Sequence, residues 1–352
     1  MKQLNKKFYK NKKILITGHS GFLGSWLSIS LKSLGAKLYG ISKKNVPNQS
    51  LNSILNLDSL FEKVYYLDLS LENKLEKKIS IKPDILIHLA AQPIVLDSYK
   101  KPEETYMVNV IATMKILKFI KSKNIKNVLF STSDKVYQNL DNKRYYIESD
   151  KLAGDDIYSS SKSAQEILIK SFYYSFFKDK AYNFNTIRAG NIFGGGDFGK
   201  FRLIPDLAHS VFKNKIIKIR NLNSTRPWQY VMDVVNAILF LISKKNNINH
   251  FQSWNFGPRI QNVSVKKIIS IFKILTNKKI KIIGIKQNLS EKKYLNLSSK
   301  KFHKEFGFLN KRNLETDLKE TLAWYEIFYK KKHNHLSKFS NLISSNYFAL
   351  KK

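Results

Sequence analysis

"TGHSGFLG", Thr17 to Gly24, follows the apolar run "KKILI" and leads into "FLGSWLSISLKSLG", whose apolar residues recur at helical spacing up to a closing glycine. Gly18, Gly21 and Gly24 thus stand in a G-x-x-G-x-x-G spacing between a buried strand and its helix. Glycine there permits a tight turn and a close backbone approach to a pyrophosphate. The first N–H groups of the helix, at its positive dipole end, favour the same anion. The spacing differs from G-x-G-x-x-G, but the strand–turn–helix setting is the one a dinucleotide requires.

Outward from this loop, strands and helices alternate. "AKLYGIS" reads as a second strand and "KVYYLDLS" as a third, followed by a polar helix from Leu71 to Ile79. "PDILIHLAA" (Pro83 to Ala91) is a fourth strand, Pro102 opens a long helix to about Ser122, and "NVLFSTS" is the fifth strand. Tyr158 to Phe177 is helical and "FNTIRAG" (Phe184 to Gly190) is the sixth strand. The alternation predicts an α/β fold: a Rossmann-type, doubly wound parallel sheet over residues 1–190, with ligands bound beyond the carboxyl ends of its strands. Gly18, Asp68, His88 and Asp134 lie at or near such ends. From about Gly194 the pattern loosens. Residues 191–332 read as a smaller C-terminal substrate-binding lobe, with room for strands of it to return to the main sheet. Residues 333–352 read as a loosely attached tail extension.

Composition narrows the function. The 352 residues, 43% hydrophobic, suffice for one large core or two lobes around a cleft. There is no cysteine, which fits a reducing compartment. The basic start "MKQLNKKFYKNKK" lacks the apolar core of a signal peptide, and "AILFLI" (Ala237 to Ile242) is far too short to span a bilayer. A cytoplasmic protein without a membrane partner is expected. The formal charge of +36 invites a nucleic-acid reading. However, the lysines are scattered among abundant Asn and Ile, and no basic run interleaves with aromatics as in a stacking platform, so no nucleic-acid partner is expected. No His/Cys/Asp cluster has metal-ligand spacing, so no metal is expected either.

Several residues suit a dinucleotide. Asp68 can accept a hydrogen bond from an adenine amino group, or cap a helix near "DLSLEN". The small residues of "HLAAQ" (His88 to Gln92) leave room for the cofactor backbone, while His88 itself reads as a packed, hydrogen-bonded histidine. An acid at the end of the second strand would hold a ribose 2′-hydroxyl, but the chain has Ser42-Lys43-Lys44. NAD is expected, with NADP left open. "YSSSK" puts Tyr158 and Lys162 on one helical face, where a nearby ammonium lowers a phenol's pKa and lets it take a proton from a sugar hydroxyl. Ser133, before Asp134 and Lys135 in "STSDKVY", is its natural hydroxyl partner. Beyond the sixth strand, Asn191 can hydrogen-bond a diphosphate or sugar oxygen. Arg202, Arg220 and Arg226 offer planar guanidinium groups to the diphosphate, and Tyr294 offers a ring to a base or sugar.

These blocks carry a resemblance. "ILITGHSGFLGSWLSISLKSLGA", "HLAAQPIV", "TSDKVY", "YSSSKSAQE", "RAGNIFGGGDF", "RLIPD", "RPWQYV" and "WNFGP" occur in one order from about Phe8 to Tyr325. In that order they resemble the extended short-chain dehydrogenase/reductases, and within that superfamily the nucleotide-sugar 4,6-dehydratases. The resemblance implies that Ser133, Tyr158 and Lys162 serve the oxidation of the sugar at C4. It implies that Lys135 takes the C5 proton and that Asp134 protonates the departing C6 hydroxyl. Lysine rather than glutamate at position 135 implies CDP-glucose as the substrate, and CDP-4-keto-6-deoxyglucose for surface polysaccharide as the product. The implied cofactor contacts are Gly18, Gly21, Phe22, Leu23, Gly24, Asp68, Leu69, Leu89, Ala90, Ala91, Gln92, Asn109, Tyr158 and Lys162. The implied substrate contacts are Gln92, Asn191, Arg202, Leu203, Ile204, Arg220, Arg226 and Tyr294. A homodimer or higher homo-oligomer, paired through the helices that open at Pro102 and Tyr158, is implied as well. In water an aspartate is ionised and a lysine protonated at pH 7, whereas these roles need the reverse, so Asp134 and Lys135 form a coupled pair.

Overall fold

The computed structural model describes residues 4–44, 49–178, 180–244, 251–285, 292–307 and 312–349. Among these residues one sheet holds seven strands: β1 Lys13–Thr17, β2 Lys37–Ser42, β3 Phe61–Tyr66, β4 Ile85–His88, β5 Asn127–Ser131, β6 Asn183–Ala189 and β7 Phe251–Phe256. Their spatial order is β7-β6-β5-β4-β1-β2-β3, and every neighbouring pair is parallel. The order reverses between β1 and β4. A crevice opens there, beyond the carboxyl ends of both strands.

The apolar runs form this sheet because both of its faces are covered. Ile14 and Ile16 of β1 and Ile85 and Ile87 of β4 join one buried cluster. With them pack Trp26 and Leu27 of α1 (Phe22–Ser33) and Val234 and Ile238 of α5 (Val231–Ser243, numbered after the helices that follow). The alternate residues Leu15 and Leu86 join the opposite cluster. That cluster takes Ile116 and Phe119 of α2 (Ala112–Lys123) and Ile169 and Tyr173 of α3 (Ile157–Phe176). Pro102 opens the helix that runs into α2. Between Pro102–Tyr106 and α2 lies one π-helical turn, Met107–Ile111. After β6 the chain forms α4 (Leu203–Lys213), α5, and then, returning from β7, α6 (Leu314–Tyr329) and α7 (His333–Ala349).

Two expectations are corrected. The polar helix from Leu71 to Ile79 shrinks to one turn, Leu75–Lys78, because the N–H groups of Leu71 and Glu72 both return to the carbonyl of Asp68 and form a turn instead. The tail is not loosely attached. Leu336, Ile343, Tyr347 and Phe348 of α7 are buried. Ser340 Oγ accepts from the Trp324 indole at 3.0 Å, and Ser344 Oγ meets Ser30 Oγ of α1 at 3.0 Å. Two serines on the inner face let the helix approach closely and still satisfy buried polar groups.

Candidate active site

A cavity of about 1180 Å³ occupies the crevice. The glycine loop, Asp68, Leu69 and Leu89–Ala91 line one end; Ser133, Asp134, Lys135, Tyr158 and Lys162 line the middle; Asn191, Arg202, Leu203, Ile204, Arg220 and Arg226 line the other end.

At the first end the loop is set by its glycines. Gly18 has φ +72°, and a Cβ there would stand 2.7 Å from the Ala90 backbone nitrogen; one at Gly24 would stand 2.4 Å from the Gly18 carbonyl. The turn therefore closes against both the β4 loop and its own helix. Gly21 heads α1 without a side-chain cap, so the first-turn N–H groups are left for a ligand. His19, within the loop, is buried; its Nε2 lies 3.0 Å from Asp58 Oδ1. Asp68 pairs with Lys43 (2.9 Å) and accepts from the Ser70 N–H and hydroxyl at 3.0 and 2.6 Å. Burial would raise Asp68, but the Ser70 and Lys43 hydrogen bonds and the Lys43 charge hold it below the usual carboxylate range. A glycine cradle, an uncapped helix and a fixed carboxylate suit NAD, and Lys43, the basic residue at the end of β2, is engaged by that carboxylate. Asn109 lies beneath this wall rather than on it. Its side chain accepts from Gln92 N–H at 2.8 Å and donates to Gln92 O at 3.2 Å and Ser161 Oγ at 2.9 Å. The π turn directs it there. Gln92 is not on the lining either; its side chain folds back on Ile94 through two 3.0 Å hydrogen bonds.

In the middle, Ser133 Oγ donates to Asp134 Oδ1 at 3.0 Å and stands close enough to the Tyr158 phenol to lower its pKa. Lys135 Nζ lies 3.4 Å from the same carboxylate oxygen. Asp134 is 2% exposed, and its Oδ2 has no hydrogen-bond partner among the described residues. Burial pushes Tyr158 up to about 12; Ser133 pulls it down, Asp134 pushes it further up, and Arg202 pulls it down. Lys162 is itself lowered to about 8 by burial, against the pull of Glu166, and its Nζ donates to Gln165 Oε1 at 2.9 Å. Gln165 continues to Thr113, and Thr113 to His88 at 3.2 Å. His88 is indeed packed: Thr17 holds its other nitrogen at 2.7 Å, and burial followed by the Lys162 charge takes it down to about 3. Below lies a second network that the motifs did not announce. Arg188 binds Glu166 through Nε and Nη2, both at 3.0 Å, and Thr132 donates to the same carboxylate at 2.6 Å. Gln165 and Glu166 stand three and four residues after Lys162 in "YSSSKSAQE", so helical spacing alone places them on its face.

At the far end Arg202 is clamped to both oxygens of Asp197, at 3.0 and 3.1 Å. Arg226 is buried, and its Nη1 donates to the Thr225 carbonyl at 2.7 Å. Tyr294 does not line the cavity. Its carbonyl accepts from Asn139, and the Lys143 and Lys293 ammonium groups lie near its ring.

The structure brings the glycine loop and Ser133, Tyr158 and Lys162 to one cavity, as the sequence motifs led one to expect. The chain belongs to the NAD dependent epimerase/dehydratase family, whose profile matches residues 14–257. It is 34% identical over 341 residues to a CDP-glucose 4,6-dehydratase of Salmonella typhimurium, covering 93% of this chain and 94% of that one. It is 32% identical over 281 residues to a dTDP-D-glucose 4,6-dehydratase of Dictyostelium discoideum, covering 74% of this chain and 62% of that one. Among solved structures, MoeE5 in complex with UDP-glucose and NAD superposes with a TM-score of 0.77 at 21% identity, over 89% of this chain and 98% of that one.

Proposed function

We propose that the protein is a hydro-lyase, a nucleotide-sugar 4,6-dehydratase that converts CDP-glucose to CDP-4-keto-6-deoxyglucose and water. The observation that carries this reading is the Asp134–Lys135 pair. A buried carboxylate with one free oxygen and an amine 3.4 Å from the other oxygen face the cavity beside Ser133 and Tyr158. Oxidation at C4 alone needs the tyrosine and serine; expelling water needs an acid and a base besides.

Bound NAD supplies the two-electron acceptor for C4 and the donor for C6, so it ends as it began. The chain's own residues move the protons. Tyr158, ionised when the positive nicotinamide of bound NAD offsets the burial that raises it, takes the proton of the C4 hydroxyl, with Ser133 holding the same oxygen. The C4 ketone acidifies the C5 proton, and neutral Lys135 removes it. Protonated Asp134 gives its proton to the C6 oxygen, which leaves as water. Lys135 then returns its proton to C5 as C6 is reduced. Tyr158 ends with one proton more than it started with, and Asp134 with one fewer. Ser133, hydrogen-bonded to Asp134 and beside the Tyr158 phenol, is placed to pass a proton between them so that the pair resets. Arg202, Arg220 and Arg226, on the cavity's far side, suit the diphosphate.

The cytoplasm is the expected compartment; among the described residues no helix is long and apolar enough to cross a membrane. Dimerisation through the two long helices is part of the same reading. Tyr106, Met107 and Ile111 on one, and Ile167 and Tyr174 on the other, are large apolar residues left exposed.

Incubating the protein with NAD and CDP-glucose and weighing the nucleotide sugar by mass spectrometry tests the proposal. A product lighter by one water is expected. An isomer of unchanged mass would replace the dehydratase reading by an epimerase.

A further inference from the structure

Six carboxylates of the described residues line the cavity: Asp68, Asp134, Asp155, Asp156, Asp197 and Asp206. Five are held by partners within the chain. Asp68 has Lys43 and Ser70, and Asp134 has Ser133 and Lys135. Asp155 has Lys292, Asp156 accepts from Ser159, and Asp197 has Arg202. Asp206 differs. Among the described residues no hydrogen bond or ion pair holds its carboxylate, and Arg220 and Asp197 act on it only through space.

Its position is defined by the fold. Asp206 lies in the first turn of α4, four residues after Arg202, and so on the same helical face. Arg202 is the residue whose charge reaches Tyr158. Asp206 therefore stands one helical turn from Arg202 on the wall of the same cavity. The strand Ile217–Ile219 and Arg220 line the cavity there as well. With the sugar at Tyr158 and the diphosphate at Arg202, the base that the diphosphate carries falls beside this next turn of α4 in the proposed arrangement.

We propose that Asp206 is the specificity residue for the base and accepts a hydrogen bond from the exocyclic amine of cytosine. Pyrimidine nucleotides differ at position 4 of the ring. Cytosine carries an amine that donates, whereas uracil and thymine carry a carbonyl that only accepts. An ionised carboxylate, which only accepts, binds the first and repels the second. Asp206 is an exposed residue whose carboxylate stands on the cavity wall; partial desolvation there and the Asp197 charge raise it to about 6 while Arg220 pulls it down, which leaves it largely ionised at neutral pH and open to a donor. The inference rests on the dehydratase reading for the sugar's orientation, but its test does not depend on turnover.

Isothermal titration of CDP and of UDP into the NAD-loaded protein near neutral pH gives the test, with Asp206→Asn and Asp206→Ala alongside. The wild type is expected to bind CDP about 10- to 100-fold more tightly than UDP, as a hydrogen bond to a charged group allows. Asp206→Ala should erase the difference. Asp206→Asn, whose amide both donates and accepts, should bring the ratio within about threefold of unity. A fold defect would weaken both nucleotides alike and leave their ratio in place. Equal binding of CDP and UDP by the wild type, or a wild-type ratio that survives both substitutions, overturns the role of Asp206. Binding of neither nucleotide overturns it too, along with the placement of the nucleotide at this end. Dehydration of CDP-glucose by a wild type that shows no base preference would leave the dehydratase reading standing and sink this one alone.

Discussion

Ser133, Asp134 and Lys135 are consecutive, yet the proposed mechanism gives each a separate task, and the end of β5 brings all three to the cavity. Ser133 leaves the strand extended and caps the short turn that follows, so its hydroxyl accepts from Lys135 N–H at 3.2 Å while it touches Tyr158 and Asp134. The division of labour is separable by mutation. Tyr158→Phe should lower kcat on CDP-glucose by about 10²- to 10⁴-fold, the usual worth of a positioned acid–base group, and cofactor binding measured by titration should persist. Lys135→Ala should instead stop exchange of the sugar's C5 proton with deuterium oxide, read by mass spectrometry. Exchange at the wild-type rate in that variant would remove Lys135 as the base. The five catalytic candidates could be picked from the sequence because their motifs are local, and the structure brings all five to one cavity. The raised phenol pKa was not, since it depends on how completely the surrounding chain buries Tyr158, and no spacing records that.

At the scale of elements, the inner strands β1, β4 and β5 were readable because they are buried on both faces and so appear as short apolar runs. The helix from Pro102 was readable as well, but its π turn was not. That turn rotates Asn109 inward, where it satisfies the backbone of Gln92 on both sides. Asn109→Ala leaves a buried N–H without its acceptor and should cost about 1–3 kcal/mol in urea unfolding, with a loosened NAD site as the accompanying loss. An unchanged midpoint would mean that water takes over the bonds. The tail helix escaped the sequence reading for a related reason. Its inner face mixes Ser340 and Ser344 with Leu336 and Ile343, so the apolar stripe is interrupted by residues whose hydroxyls are satisfied only by Trp324, Ser30 and the helix's own Leu336 carbonyl.

At the scale of the whole molecule, three helices of the second half meet around buried acids. Tyr347 of α7 hydrogen-bonds Asp233 of α5, and Arg312 pairs with Asp317 of α6 at 2.8 Å. Burial and then the Asp233 charge push Asp317 up to about 8, against the pull of Arg312. A carboxyl whose folded pKa is raised binds its proton more tightly when folded. Its contribution is full below the unfolded value near 4 and is lost as pH rises to about 8. Asp317→Asn should therefore gain on the wild type in Tm between about pH 5 and pH 8, and a constant difference across that window would contradict the assignment. Assembly is testable at the same scale. If the long helices pair, Ile167→Glu should convert a dimer to a monomer in sedimentation.

The cavity's carboxylates carry one more consequence. The chain has 26 acidic residues against 62 basic ones, and six of those acids face a single cavity. Outside it, the surplus of cations draws in any anion; inside it, most positive groups already have partners. Encounter and selection are thereby assigned to different parts of the molecule. Added salt should slow the arrival of an anionic substrate, raising KM, while leaving the choice among substrates and the turnover of the bound one nearly constant.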